Sequence, residues 1–170
     1  MQTSALSADQ RLDEARNLLD TVFDPEIPVL TIADLGIIRD VKLADDGSLE
    51  VVITPTYSGC PAMAMIEVNI RSVLQEGGFD RVKVTTVLSP PWTTDWLSAG
   101  GRIKLQAYGI AAPETPTMDK SALSGERKAL HCPRCQSTNT QMISQFGSTA
   151  CKALFRCLDC LEPFDYFKCH

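Results

Sequence analysis

Apolar residues recur at helical spacing near the start of the chain, at Leu12, Ala15, Leu18, Leu19 and Val22. Ser7 followed by Gln10 has the form of a capping box ahead of them. The spacing predicts a helix that stops before Asp24-Pro25, because a residue preceding proline avoids the α region. The pattern then changes period. Residues 37–43 and 49–53 read as short strands, with Asp46-Gly47 as the hairpin turn between them. Pro61 suits the first position of a helix, Met63, Ile66, Ile70, Val73 and Leu74 give that helix an apolar stripe, and Gly77-Gly78 stop it. Residues 81–87 alternate as a third strand, so the helix is a crossover. Pro90-Pro91 break the chain, and Thr93 and Thr94 are candidate caps for a last helix running towards Tyr108.

Residues 111–127 are rich in Pro, Thr and Ser with little apolar content, as expected of a linker. The pattern therefore predicts an α/β (α+β) fold in three parts. Residues 1–110 form a small domain with a short mixed sheet and packed helices, 111–130 are a linker, and 131–170 are a cysteine-rich module.

Composition adds two constraints. The net charge is −5 with no long run of like charge, which argues against a nucleic-acid binder, whose face is usually basic. Six of the seven cysteines fall after position 130, a skew unlike that of a disulfide-stapled secreted protein. The N-terminus lacks the apolar core of a signal peptide, and no apolar run is long enough to span a membrane. A reducing, cytoplasmic compartment is expected, where clustered cysteines bind metal more often than they form disulfides.

Cys132-Pro133-Arg134-Cys135 and Cys157-Leu158-Asp159-Cys160 are two C-x-x-C pairs separated by 21 residues. Each pair can form a tight knuckle, and two knuckles complete a tetrahedron of thiolates around one ion, the geometry of structural zinc sites. Zinc is the expected metal, with iron as the alternative. Residues 141–146 and 150–156 are candidate strands of a zinc-ribbon hairpin turning at Gly147-Ser148. A redox-active C-x-x-C belongs beside a β-α-β pattern and fits this segment poorly. Cys151 shares strand parity with Ala153 and Phe155 and reads as a buried small side chain. Cys169 and His170 are either a frayed end or accessory ligands, and Cys151 is the third possible accessory ligand.

The lone cysteine of the first domain, Cys60, precedes Pro61, which places it at the N-cap of the second helix. There the helix dipole and free backbone N–H groups favour a thiolate. The competing reading is a buried small hydrophobe. Asp24 and Glu26 bracket a rigid turn, either as ligands or interaction points or as helix-stop chemistry exposed to solvent. No Ser-His-Asp set, phosphate loop or paired catalytic acid and base is visible. Both histidines, His131 and His170, lie at or beyond the start of the cysteine-rich module, which rules out histidine catalysis in the first domain.

The run from Asp24-Pro25-Glu26 to Asp34-Leu35-Gly36, with Thr56 and Cys60-Pro61 after it, resembles the small α/β domain of metal–sulfur cluster assembly factors. Ser89-Pro90-Pro91-Trp92, the two C-x-x-C pairs and the ending from Glu162-Pro163-Phe164 extend the resemblance over nearly the whole chain, to the D-subunit family of bacterial phenylacetyl-CoA epoxidase. The resemblance implies a non-catalytic accessory subunit in aerobic phenylacetate catabolism. It would mature the iron or iron–sulfur centre of partner subunits, a flavin- and cluster-bearing reductase and a di-iron oxygenase. It also implies that Cys60 is the reactive cysteine, with Asp24 and Glu26 as its acidic companions, and a transient iron or cluster as cargo. Because a cluster usually needs four ligands, a homodimer bridging two Cys60 thiolates is the expected arrangement, with help from a client or from the ribbon as the alternatives. Two alternatives are an electron-transfer subunit with an iron centre on the C-terminal cysteines, and a structural adaptor docking on the oxygenase.

Overall fold

A computed structural model describes residues 7–113 and 130–168. The chain divides into two compact units, Met1–Pro91 and Trp92–His170.

In the first unit, helix α1 (Ala8–Leu19) starts at the capping box expected from Ser7 and Gln10. The Gln10 amide donates to Ser7 Oγ at 3.2 Å, and the Ser7 amide donates to Gln10 Oε1 at 2.8 Å. Two of the first-turn N–H groups that a helix leaves unpaired are satisfied in this way. The helix ends at Leu19, earlier than expected, and Val22 is buried from the following turn instead. Strands β1 (Ile38–Leu43) and β2 (Leu49–Ile53) pair antiparallel through the Asp46-Gly47 turn, where Gly47 takes φ +78°. Helix α2 (Ala62–Glu76) then crosses to β3 (Val82–Thr86), which lies parallel to β2 with Leu49 opposite Val82 and Ile53 opposite Thr86.

The sheet order is β1-β2-β3. Leu49, Val51 and Ile53 point to one face and are fully buried, as are Ile66, Ile70 and Leu74 of α2 and Leu19 of α1. The alternate positions face water and carry exposed ion pairs. Lys83 Nζ lies 2.9 Å from Glu50 Oε1 and Lys42 Nζ 2.7 Å from Asp40 Oδ2. Such pairs add little stability, so burial of the other face holds this unit together.

The second unit begins with a short 3₁₀ turn (Thr94–Trp96) and helix α3 (Ala99–Tyr108). The cap of α3 is Ser98, whose Oγ accepts from the Gly101 amide at 2.8 Å, and not Thr93 or Thr94, which precede and open the 3₁₀ turn. Gly109, at φ +90°, ends α3 and turns the chain into β4 (Ile110–Ala111). That strand runs parallel to β7 (Pro163–Phe167), with Ala111 opposite Tyr166. The four-stranded order is β4-β7-β6-β5, where β5 is Thr140–Ser144 and β6 is Lys152–Cys157. The expected ribbon hairpin is thus present as β5 and β6, joined by two strands the pattern did not reveal. The boundary between the units consequently falls between Pro91 and Trp92, ahead of residue 110, because α3 and β4 belong with the ribbon sheet. Most of the expected linker, 114–129, lies outside the described residues.

An aromatic row packs the ribbon. Phe155 stacks on Phe164 with centroids 6.0 Å apart and meets Tyr166 edge-on at 5.8 Å, while Trp92 meets Phe167 edge-on at 5.9 Å. Gly147 allows the close turn before β6, since a Cβ there would lie 2.8 Å from Asp165 Oδ1.

The two faces of α2 give a direct test of this packing. Ile66→Ala should lower the unfolding free energy of the first unit by about 2–5 kcal/mol through the cavity it leaves. Met65→Ala, on the exposed face, should change it by less than about 0.5 kcal/mol. Urea denaturation followed by circular dichroism measures both.

Candidate metal centre and the Cys60 site

The four thiols of the two C-x-x-C pairs converge. The sulfurs of Cys132, Cys135, Cys157 and Cys160 all lie within 4.8 Å of one another. Cys132 Sγ is 3.8 Å from Cys160 Sγ, and Cys135 Sγ is 3.5 Å from Cys157 Sγ. These separations are too long for a disulfide, whose sulfurs are about 2.05 Å apart. They match the edge of a tetrahedron of sulfurs around one zinc, which a Zn–S bond of about 2.3 Å sets at about 3.8 Å. The donor set and its spacing therefore fit a single thiophilic ion of the zinc type.

Each knuckle is built by its own backbone. The Gln136 amide donates to Cys132 C=O at 2.9 Å and the Cys132 amide to Ser137 C=O at 2.9 Å. In the second knuckle the Cys157 amide donates to Glu162 C=O at 3.0 Å, and the Cys160 amide reaches Cys157 Sγ at 3.5 Å. Gln136 and Leu161, the residues after each second cysteine, sit at φ +62° and +65°. A side chain in the left-handed region costs about 1–2 kcal/mol, so both knuckles carry strain that the closed site must offset.

The knuckles are tied to each other by a brace that sequence spacing did not single out. Asp159 accepts from the Ser137 hydroxyl and from Asn139 Nδ2 at 2.7 Å, and the Leu158 amide donates to Asn139 C=O at 2.8 Å. Ser137 first, and then Asn139, hold the Asp159 carboxyl below its ordinary pKa. Cys132 and Cys157 are fully buried and sit in an apolar cluster with Ala111 and Phe164, whereas Cys135 is exposed. Cys151 is also buried, with its sulfur 3.1 Å from Thr149 Oγ1, and is not one of the four converging thiols. Cys169 and His170, the other two candidate accessory ligands, lie outside the described residues.

Backbone amides, lost hydration and neighbouring thiols together shift the acid–base behaviour of Cys135, Cys157 and Cys160. The amide of Cys160, followed by that of Asp159, draws the Cys157 thiol down to about 7 despite its burial. At Cys135 the Ser137 amide works in the same direction, but local loss of hydration and the hydrogen-bonding thiols of Cys157, Cys160 and Cys132 outweigh it and push the pKa up to about 12. The Cys157 thiolate forms readily near neutrality, whereas Cys135 and Cys160 hold their protons until a cation displaces them.

Cys60 lies in the first unit, one residue ahead of the N-cap position held by Pro61, so the expected placement is displaced by one residue. The backbone N–H groups of Ala62 and then Met63 act to lower its pKa, although the Met63 amide donates to the Cys60 carbonyl at 3.4 Å. They do not produce a low-pKa thiolate, however. Burial is the largest influence and raises the pKa; the Ala62 amide opposes it, and the charges of Glu26 and then Asp24 raise it further. The two acidic residues are thus brought into electrostatic reach of the sulfur. Asp24 is itself buried, and its Oδ1 accepts from the amides of Glu26 at 2.8 Å and Ile27 at 2.7 Å, fixing the turn. Six residues ahead of Cys60, Thr54 buries its hydroxyl with no hydrogen-bond partner among the described residues. A buried hydroxyl in that state costs about 1–3 kcal/mol, and only the structure makes it visible.

Two outcomes follow. Protons compete with metal for the four ribbon thiolates, so the full chain should release protons as it takes up one equivalent of zinc and should lose the metal as pH is lowered. Zinc titration with a pH indicator checks this. At Cys60, Glu26→Gln removes a charge that raises the pKa. Iodoacetamide labelling of the Cys60 peptide, read by mass spectrometry, should therefore be faster at fixed pH in the variant, with its rate profile shifted to lower pH.

Comparison with known proteins agrees with both halves of the chain. Residues 12–87 match the model of an iron–sulfur cluster assembly protein family, and residues 116–168 match that of the PaaD zinc beta ribbon domain. A protein of Escherichia coli K12 described as the D subunit of 1,2-phenylacetyl-CoA epoxidase is 47% identical over 99% of both chains. The Fe-S protein maturation auxiliary factor SufT of Staphylococcus aureus is 36% identical over 49% of this chain and 96% of its own. The crystal structure of a DUF59 domain from Bacillus anthracis superposes with a TM-score of 0.54 and 26% identity, over 57% of this chain and 92% of that one. Among the described residues no helix is long and apolar enough to cross a membrane. The full-length match, together with an assembly-type domain ahead of a four-cysteine ribbon, places this chain in the D-subunit family of phenylacetyl-CoA epoxidase.

Proposed function

We propose that this chain is a non-catalytic accessory subunit of a phenylacetyl-CoA epoxidase system in aerobic phenylacetate catabolism. It delivers iron or an iron–sulfur cluster to the reductase or the di-iron oxygenase. The observation that carries the reading is the surroundings of Cys60. A half-buried thiol sits at a helix N-terminus, whose amides favour its thiolate, and lies within the field of Asp24 and Glu26.

That combination suits a carrier that holds its cargo briefly. In the free protein, burial and the two carboxylates keep the thiol protonated. An arriving ferrous ion offsets the carboxylate charge, the thiol proton leaves to water, and a sulfur–iron bond forms without any change of oxidation state. The Ala62 and Met63 amides then support the negative sulfur. Loss of iron to a client with a fuller ligand set reverses the steps and returns the proton. The zinc-type site of the ribbon, on Cys132, Cys135, Cys157 and Cys160, is a resident structural ion in this reading and takes no part in transfer. The maturation factors among its relatives support the transfer role, and the epoxidase relative supports the choice of client.

The test is the iron content of the reductase and oxygenase purified from cells carrying this chain, lacking it, or carrying Cys60→Ser. Iron should fall in both altered strains while the variant keeps its zinc. Unchanged iron alongside failed ring epoxidation would refute the carrier role and point to action inside the working complex.

A further inference from the structure

The exposed face of α2 changes character along its length. At the end next to Cys60 it presents Ala64, Met65 and Val68, the last two 53% and 57% exposed. One and two turns further on the same face carries Ser72, Gln75 and Glu76, all exposed and polar. The buried stripe of Ala62, Ile66, Ile70 and Leu74 is complete without these residues, so the core does not require them to be apolar. Single apolar residues on a surface are ordinary, but adjacent ones confined to one end of one helix face mark a contact surface. Methionine suits such a surface because its flexible thioether adapts to differently shaped partners.

We propose that the Ala64, Met65 and Val68 face is the docking site for the iron-accepting client, and that it seats the client's own ligands over Cys60. This rests on the carrier reading above. Two observations choose the occupant. A lone thiol cannot complete a cluster's ligand set, so the remaining ligands come from whatever covers this end of α2. The charge beside Cys60 is negative, from Asp24 and Glu26, while Glu67 on the helix is matched by Arg71 at 3.5 Å. An isologous contact with a second copy sets the same acidic groups against themselves. A client with an apolar centre and a basic rim is complementary instead.

The probe is the iron-depleted reductase of the epoxidase system, titrated with the full-length chain. Wild type should bind, and binding should weaken as salt is raised. Met65→Lys/Val68→Lys removes the apolar contact and puts positive charge against a basic rim, which should weaken binding by at least about tenfold. Ser72→Lys/Gln75→Lys, with the same charge at the far end of the same face, should bind as wild type. Unchanged zinc content and circular dichroism establish that the variants fold. The proposal is overturned if wild type does not bind, if the Met65/Val68 variant binds equally well, or if light scattering shows a wild-type dimer that this variant splits. Cys60→Ser separates the two readings. Normal partner iron in that strain, with α2-dependent binding intact, removes the carrier role and leaves the docking surface. Iron that falls in that strain while binding ignores Met65 and Val68 does the reverse.

Discussion

Four sulfurs held within 4.8 Å of one another form an arrangement that thiols adopt at a cost and thiolates adopt only around a cation. Much of the second unit's local architecture serves that convergence. The knuckle backbones turn through left-handed Gln136 and Leu161, Asp159 ties one knuckle to the other, and the aromatic row of Phe155, Phe164 and Tyr166 walls the buried side. A module of this size has a small core, so bound metal supplies folding free energy that packing alone would not. The same closeness limits what the site can do. Four thiolates on one point satisfy one ion and leave no open position for chemistry, which is the mark of a structural site.

Cys60 obeys the opposite arrangement. It lies at one helix end with no second thiol within its own unit, since the other described cysteines all belong to the second. Burial raises its pKa, and the charges of Glu26 and Asp24 raise it further. On the proposed reading, the chain separates a closed site that retains metal from an open site suited to passing it on. Fold and function are linked at α2, whose buried stripe anchors the first unit's core while its N-terminal end presents both Cys60 and the exposed apolar face.

What could be read from the sequence was local. The Ser7–Gln10 capping box, the Asp46-Gly47 turn, the helix opening at Pro61 and the two C-x-x-C pairs each declare themselves within a few residues. Contacts made across long stretches of chain were not legible. Strand β4 is only two residues long and pairs with a strand far along the chain, Ile110 opposite Asp165, so nothing in its pattern separates it from a linker. Ser98 takes the capping role expected of Thr93 or Thr94, because the 3₁₀ turn of Thr94–Trp96 intervenes. The Asp159 brace joins residues 20 and 22 apart. At Cys60 the helix end was visible, whereas the burial that outweighs it has no signature in a single cysteine, and the carboxylates that add to burial arrive from the distant turn of Asp24 and Glu26.

The division between a retaining site and a passing site is tested most directly by loading the purified, zinc-containing full chain with ferrous iron and sulfide under anaerobic conditions, then measuring both metals and the visible spectrum in wild type and Cys60→Ser. The account predicts that zinc stays at one equivalent in both proteins, while iron binds weakly, is removed by a mild chelator, and is absent from the variant. Iron that displaces zinc, and gives the same thiolate-to-iron spectrum in Cys60→Ser as in wild type, would contradict it by placing the iron chemistry on the ribbon cysteines.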